Sequence, residues 1–253
     1  MILNKTNTLQ EKNIKFQIVK KVRTGLVRIL FGDERMKIGG FLKQSFVDFP
    51  ATISAVIFTS GCNINCWYCH NRELIDGTKE EDISLDYIYD FLEKRKGFLD
   101  GVVISGGEPT LQTDLLDVIK RLKNMGFKVK LDTNGTNPDV LEKALLFVDF
   151  VAMDIKTCPE NYQKVVGKVD IENIKRSVKI LMNSNCDYEF RTTFAPGISF
   201  EDIEKIAKFV QGAKRFALQT YRPQGSNWPK QPPENYEKAL NIIKKYIFNA
   251  FIR

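Results

Sequence analysis

His70 is the only histidine in 253 residues, and the chain has only five cysteines. Histidine-based acid/base or nucleophilic chemistry therefore has a single candidate centre. An odd and low cysteine number argues against the disulfide framework of a secreted domain. Long apolar runs are missing as well: ALLFVDFVAM at 144–153 is broken by Asp149 and stays well short of the roughly 18 residues that a membrane helix needs. The opening residues lack the apolar h-region and small-residue cleavage site of an export signal. Reduced thiols in a cytoplasmic protein without membrane partners are the expectation.

What is present fits one sizeable core. With 43% hydrophobic side chains, a chain of this length buries roughly 70–75% of its extended surface. The net charge of +7 points to nucleic acid until it is mapped. Residues 1–35 carry eight Lys or Arg against Glu11, Asp33 and Glu34, which leaves only +2 for the remainder. That segment holds only Phe16 and Phe31 as aromatics for base stacking, so a solvated basic extension is favoured over a nucleic-acid arm. The expected organisation is an extension at 1–35, with Met36 as a candidate internal start, followed by one domain at 36–253.

From Ile53 onward, β-rich runs alternate with amphipathic ones. Strands are expected at 53–59, 101–105, 127–133, 148–155, 187–194 and 215–220, after a hairpin-like prelude at 36–48. Helices are expected at 84–96, 111–126, 138–146, 171–184, 199–211 and 233–251, with a polar, proline-rich rim loop at 220–233. Sequential βα units make parallel sheets. Six are too few for the closed eight-stranded barrel, so the fold class is α/β, a partial (β/α)6 TIM-like barrel with outer helices; a doubly wound sheet is the competitor. Both place the site at the carboxyl ends of the strands.

Those ends carry the chemistry. Cys62, Cys66 and Cys69, spaced C-x3-C-x2-C in SGCNINCWYCHN, directly follow the first parallel strand. Three close thiols are soft ligands for zinc or iron–sulfur, and the lack of a fourth nearby ligand leaves an open coordination position. Cys158 and Cys186 read as small buried hydrophobes. SGGEPT follows the second strand: Gly106 and Gly107 permit close backbone approach to a ligand, and Glu108 is an acceptor suited to an ammonium. Asp132 in DTNG, Asp154 and Lys156 in MDIK, and Arg191 in RTT place four more charges at the same edge, where buried charges require partners or a ligand.

These motifs together resemble the radical S-adenosylmethionine enzymes. With GGFLKQSFVDFP before the first strand and HN after the third cysteine, residues 36–222 are similar to the activating enzymes of glycyl radical proteins. The likeness is strongest to the activating proteins of anaerobic ribonucleoside-triphosphate reductase. The resemblance implies a [4Fe-4S] cluster on Cys62, Cys66 and Cys69, whose fourth iron chelates S-adenosylmethionine. It also implies reductive cleavage to a 5'-deoxyadenosyl radical and hydrogen abstraction from a glycine of a partner enzyme. It assigns Gly106, Gly107 and Glu108 to the methionine ammonium, and Asp154, Lys156 and Arg191 to the ribose and carboxylate. Tyr68 goes to the cofactor's surroundings, and Asp132 to a monovalent cation with backbone help near Thr133 and Met153. A low-potential donor such as flavodoxin or ferredoxin is implied. LQTYRPQ at 218–224 lacks the histidine that many pyruvate formate-lyase activases place there, which favours the reductase-activase branch. A radical enzyme acting on a small molecule or RNA, and a zinc-stabilised binding module, are the rivals.

Overall fold

The computed structural model describes residues 36–78, 83–223 and 230–253. The basic segment 1–35 and the centre of the 220–233 loop lie outside the described residues. Eight strands form one sheet in strict chain order: β1 (Ile38–Ser45), β2 (Ser54–Thr59), β3 (Gly101–Gly106), β4 (Lys128–Thr133), β5 (Phe150–Asp154), β6 (Asp187–Thr193), β7 (Phe216–Gln219) and β8 (Ala250–Ile252). β1 is antiparallel to β2, and every later pair is parallel. A doubly wound sheet reverses its strand order at a switch point; this one never reverses, so it is the partial barrel.

Among the described residues, seven helices cover the outside: α1 (Leu85–Glu93), α2 (Leu115–Asn124), α3 (Pro138–Ala144), α4 (Tyr162–Val166), α5 (Ile171–Met182), α6 (Phe200–Phe209) and α7 (Pro233–Ile243). Their apolar stripes are the ones the 3.6-residue period marks. In α1, Ile88, Tyr89 and Leu92 are buried; in α6, Ile203, Ile206 and Ala207 are buried behind a reciprocal Ser199–Asp202 capping box. Alternate strand residues such as Ile57, Ile104, Leu131, Val151 and Phe190 belong to this outer core. No helix among the described residues is long and apolar enough to cross a membrane.

The inner face is different. Phe49, Val56, Val103, Phe150 and Ala152 form a small separate apolar cluster. Further along the same strand faces come Lys130 and Asp132 on β4, Asp154 on β5, and Glu189 and Arg191 on β6. The period-2 pleat dictates this placement: residues two apart share a face. The barrel therefore has an apolar floor and a charged upper interior.

The last element departs from the expectation of a helix over 233–251. α7 stops at Ile243, and Ala250–Ile252 pair with β7 as a further parallel strand. Apolar spacing in so short a segment cannot separate helix from strand. The edge of β7 decides, because its backbone groups gain partners such as Asn249 O, which accepts from Phe216 N at 3.0 Å. The strand carries Arg253 to Glu189, whose carboxylate is fully buried and accepts two guanidinium bonds at 2.6 and 3.0 Å. Arg253→Ala leaves that carboxylate buried without its cation, and the expected loss is about 3 kcal/mol in denaturant unfolding. Adding Glu189→Gln is expected to recover more than half of it; equal loss in the single and double variants would show that the pair does not act as one.

Candidate active site

The loop after β2 holds the three cysteines, and its backbone is pinned from both sides. Gly61 N donates to Leu74 O (2.7 Å), Cys62 N to Ile75 O (2.9 Å) and Asn65 N to Val166 O (2.9 Å), while Cys69 N turns back to Cys66 O (3.1 Å). Tyr68 is buried, and its hydroxyl donates to Lys156 O at 3.1 Å, which ties the loop to the end of β5. Trp67 meets Tyr68 edge-on, with 5.5 Å between ring centroids. Tyr68, expected near the cofactor, thus lines the cavity while anchoring the loop. Cys158 is fully buried, with its thiol 3.1 Å from Asp202, and Cys186 lies toward the start of β6; neither reaches the site.

All three loop cysteines line one cavity of about 510 Å³, together with Gly106, Gly107, Glu108, Asp132, Asp154, Lys156 and Arg191. These residues and Tyr68, picked out from the sequence, are therefore brought to the same chamber, whereas Met153 does not line it. Burial pushes the Cys62 thiol up to about 11 and raises Cys66 as well. A metal that takes them as thiolates displaces their protons. Among the described residues, no three His, Cys, Asp or Glu side chains converge on a single point as the ligands of one ion do. Thiolates that take three different corners of an iron–sulfur cluster need not converge. Three soft donors along one wall fit that group by the chemistry of the donor set.

The two glycines also make a packing contact within the protein. Gly106 has φ +113°, and a Cβ there would lie 2.3 Å from Thr59 N; a Cβ on Gly107 would lie 2.1 Å from Gly61 O. Their bareness lets the end of β3 pack against the backbone that opens the cysteine loop, and Gly107 N and Glu108 N donate to Thr59 O (2.9 Å) and Gly61 O (2.8 Å). Glu108 is likewise occupied by protein. Its fully buried carboxylate accepts from Thr110 N (3.1 Å), Thr110 Oγ1 (2.6 Å), Thr133 Oγ1 (2.7 Å) and Asn134 N (2.6 Å). Burial raises its pKa against the pull of those donors. Asn134 continues the link, donating to Asn63 Oδ1 at 3.1 Å and reaching Cys62 Sγ at 3.8 Å. Three loops are thus knitted into one wall.

Adjoining it at the ends of β4–β6, Lys130, Asp132, Arg191, Asp154 and Lys156 form a chain of alternating charge. The Lys130 ammonium meets one Asp132 oxygen. The other accepts from Arg191 Nη1 (3.1 Å) and Ser105 Oγ (3.0 Å). Arg191 Nε donates to Asp154 Oδ1 (2.7 Å), and Lys156 Nζ to Asp154 Oδ2 (2.8 Å). Strand register causes this, since Asp154 and Arg191 are direct partners across β5 and β6. Burial alone would raise both aspartates' pKa values; Arg191 and the flanking lysines outweigh it and hold them below the usual carboxylate range. Burial opposes the Lys156 and Arg191 charges too, but their aspartates raise both. The partners expected from a ligand are here supplied by one another. Three cations against two anions leave one excess positive charge in the chain, with Lys130 buried beneath the cavity lining.

Sequence reasoning missed Lys130, Ser105, Asn134 and the Glu189–Arg253 pair. Period 2 carried the signal for two of them, because Lys130 and Glu189 sit two residues before Asp132 and Arg191 on the same strand faces.

Gly107→Ala is expected to cost about 2–3 kcal/mol in denaturant unfolding and to lower iron bound per chain after anaerobic reconstitution. Gly126→Ala, with φ +92° but nothing within 4 Å of the added carbon, serves as control and should cost about 1 kcal/mol with normal loading. Equal iron loading in both variants would separate the glycine contact from the cysteine wall.

Three comparisons with known proteins agree. The family model described as the radical SAM superfamily matches residues 56–210. A Methanocaldococcus jannaschii protein, provisionally named glycyl-radical enzyme activating enzyme MJ1227, is 39% identical over 235 residues, covering 85% of this chain and 95% of its own. The pyruvate formate-lyase 1-activating enzyme of Escherichia coli (strain K12) is 30% identical over 237 residues, covering 83% and 96%. The crystal structure of Streptococcus suis SuiB bound to S-adenosylmethionine superposes with a TM-score of 0.64 at 15% identity, over 78% of this chain and 49% of that one, a likeness of fold.

Proposed function

The chain belongs to the radical SAM superfamily and is an enzyme related to the glycyl-radical enzyme activating enzymes, and from that premise we propose that it installs a radical on a glycine of a partner protein. The observation that carries the reading is the shared chamber. The C-x3-C-x2-C thiols line it together with the Asp132–Arg191–Asp154–Lys156 network, at the carboxyl rim of one parallel sheet.

Cys62, Cys66 and Cys69 are the residues that would hold a [4Fe-4S] cluster. When bound and reduced, that cluster supplies the electron that splits S-adenosylmethionine into methionine and a 5'-deoxyadenosyl radical. The chain's own side chains bind and orient. Lys156 has two N–H donors beyond its bond to Asp154, and the network's excess positive charge suits the amino acid's carboxylate. Carbonyls of the Gly106–Gly107 segment, rather than the committed Glu108 carboxylate, are the acceptors for its ammonium. Glu108 keeps that segment in place through Thr133 and Asn134. Hydrogen abstraction needs no proton-transfer residue, in keeping with a single histidine.

The partner proposed is a glycyl radical enzyme, with anaerobic ribonucleoside-triphosphate reductase the favoured one. Gln219, Thr220 and Arg222 line the chamber where a histidine would mark the pyruvate formate-lyase type. Flavodoxin or ferredoxin is the proposed electron donor. The fold division proposed is a basic extension at 1–35 ahead of the catalytic domain at 36–253, in a cytoplasmic protein.

Anaerobic reconstitution with iron and sulfide, then reduction with S-adenosylmethionine and the reductase, is expected to give a glycine-centred radical by electron paramagnetic resonance. Cofactor cleavage that never transfers a radical to any glycyl enzyme would overturn the partner reading. Cys66→Ala is expected to abolish both iron loading and cleavage; retention of both would refute the ligand assignment. Lys156→Ala is expected to keep the iron and weaken S-adenosylmethionine binding about tenfold or more by calorimetry, the scale of one charge-assisted hydrogen bond. Unchanged affinity would remove Lys156 from the binding set.

A further inference from the structure

Asp132 is where the family resemblance places a monovalent cation, and its surroundings do not fit one. Its first carboxylate oxygen is taken by the ammonium of Lys130 and its second by Arg191 Nη1 at 3.1 Å and Ser105 Oγ at 3.0 Å. The Lys130 side chain is 1% exposed, so it cannot swing into solvent and vacate the carboxylate. It shares a strand face with Asp132 two residues away, and Val129 and Leu131 on either side are fully buried against the helices. Burial lowers the Lys130 pKa, and the Asp132 carboxylate, with the fully buried Glu189 two residues before Arg191 on β6, opposes that and favours the ammonium. An alkali ion at Asp132 would lie beside two fixed cations and find no uncommitted carboxylate oxygen, so Coulomb repulsion disfavours it.

The geometry points to Lys130 as a built-in cation: its ammonium takes the place of an exchangeable sodium or potassium ion beneath the cofactor-binding chamber. The inference rests on the chamber's reading as a cofactor site. Lys130 is a positioning residue, acting through Asp132 and Arg191. Binding in this chain is therefore indifferent to the identity of the monovalent salt.

The test uses the full chain at one ionic strength in sodium, potassium or tetramethylammonium chloride. Sodium-23 relaxation and thermal midpoints are read without cofactor, and S-adenosylmethionine affinity is read on the reconstituted protein by calorimetry. The wild type is expected to show no saturable sodium site and less than a twofold change in affinity among the three salts. Lys130→Met keeps the stem's bulk and frees the Asp132 oxygen. Its affinity is expected to fall about tenfold in tetramethylammonium and to recover in sodium or potassium, while a sodium site appears by relaxation. A saturable sodium or potassium effect in the wild type, or a folded Lys130→Met that ignores all three salts, would overturn the assignment. Should Lys130→Met not fold, the wild-type titrations decide alone. Failure to bind S-adenosylmethionine in any salt would instead count against the chamber's proposed function, since the relaxation and thermal measurements need no cofactor.

Discussion

The guanidinium of Arg191 donates to Asp154 at 2.7 Å and to Asp132 at 3.1 Å, and the upper barrel interior is arranged around those two bonds. Each aspartate holds a lysine in turn, so three cations and two anions from three neighbouring strands and the loop after β5 offset one another to within one positive charge, in a space that excludes most water. Such a network contributes little net stability, because desolvation offsets most of the attraction; removing one member nevertheless costs several kcal/mol. Its consequence is geometric. It fixes Lys156 at the cavity wall and keeps both aspartates ionised at low pH, where isolated carboxylates would be protonated.

The adjoining stretch of wall is built from uncharged contacts meeting one buried carboxylate. Glu108 gathers donors from the loops after β3 and β4, and the bare backbone of Gly106 and Gly107 lies against the loop after β2. The cysteine loop is therefore held by its neighbours' ends as well as by its own bonds from Gly61 to Leu74 and from Cys62 to Ile75. Tyr68 adds the tie to β5. Radical chemistry belongs to the cofactor, and the protein's task is to orient it and exclude competing reactions; a loop braced by three strand ends suits that task.

Much of this was legible in the chain alone. The βα alternation, the amphipathic helices and the placement of C-x3-C-x2-C, GGEP, DTNG and MDIK after successive strands follow from hydrophobic period and turn residues, which are local properties. Those signals left the partial barrel and a doubly wound sheet both open; the unreversed strand order decided for the barrel, and the hairpin-like prelude became the antiparallel β1. The strand at Ala250–Ile252 was illegible because the free edge of β7, distant in sequence, is what recruits it. Lys130 and Glu189 were visible as period-2 neighbours of recognised residues, but their partners come from register and from β8.

The sequence by itself determined which side chains reach the carboxyl rim and which chemical groups they bring, since strand alternation and loop position are set within a few residues. Only the tertiary structure decided who pairs with whom. It bonded Glu108 to Thr110, Thr133 and Asn134, gave Asp132 to Lys130 and Arg191, and made Gly106 and Gly107 a packing surface for the cysteine loop. The physical reason is that a buried charge takes whichever partner lies within hydrogen-bond distance, and that distance is fixed by register between strands twenty to sixty residues apart.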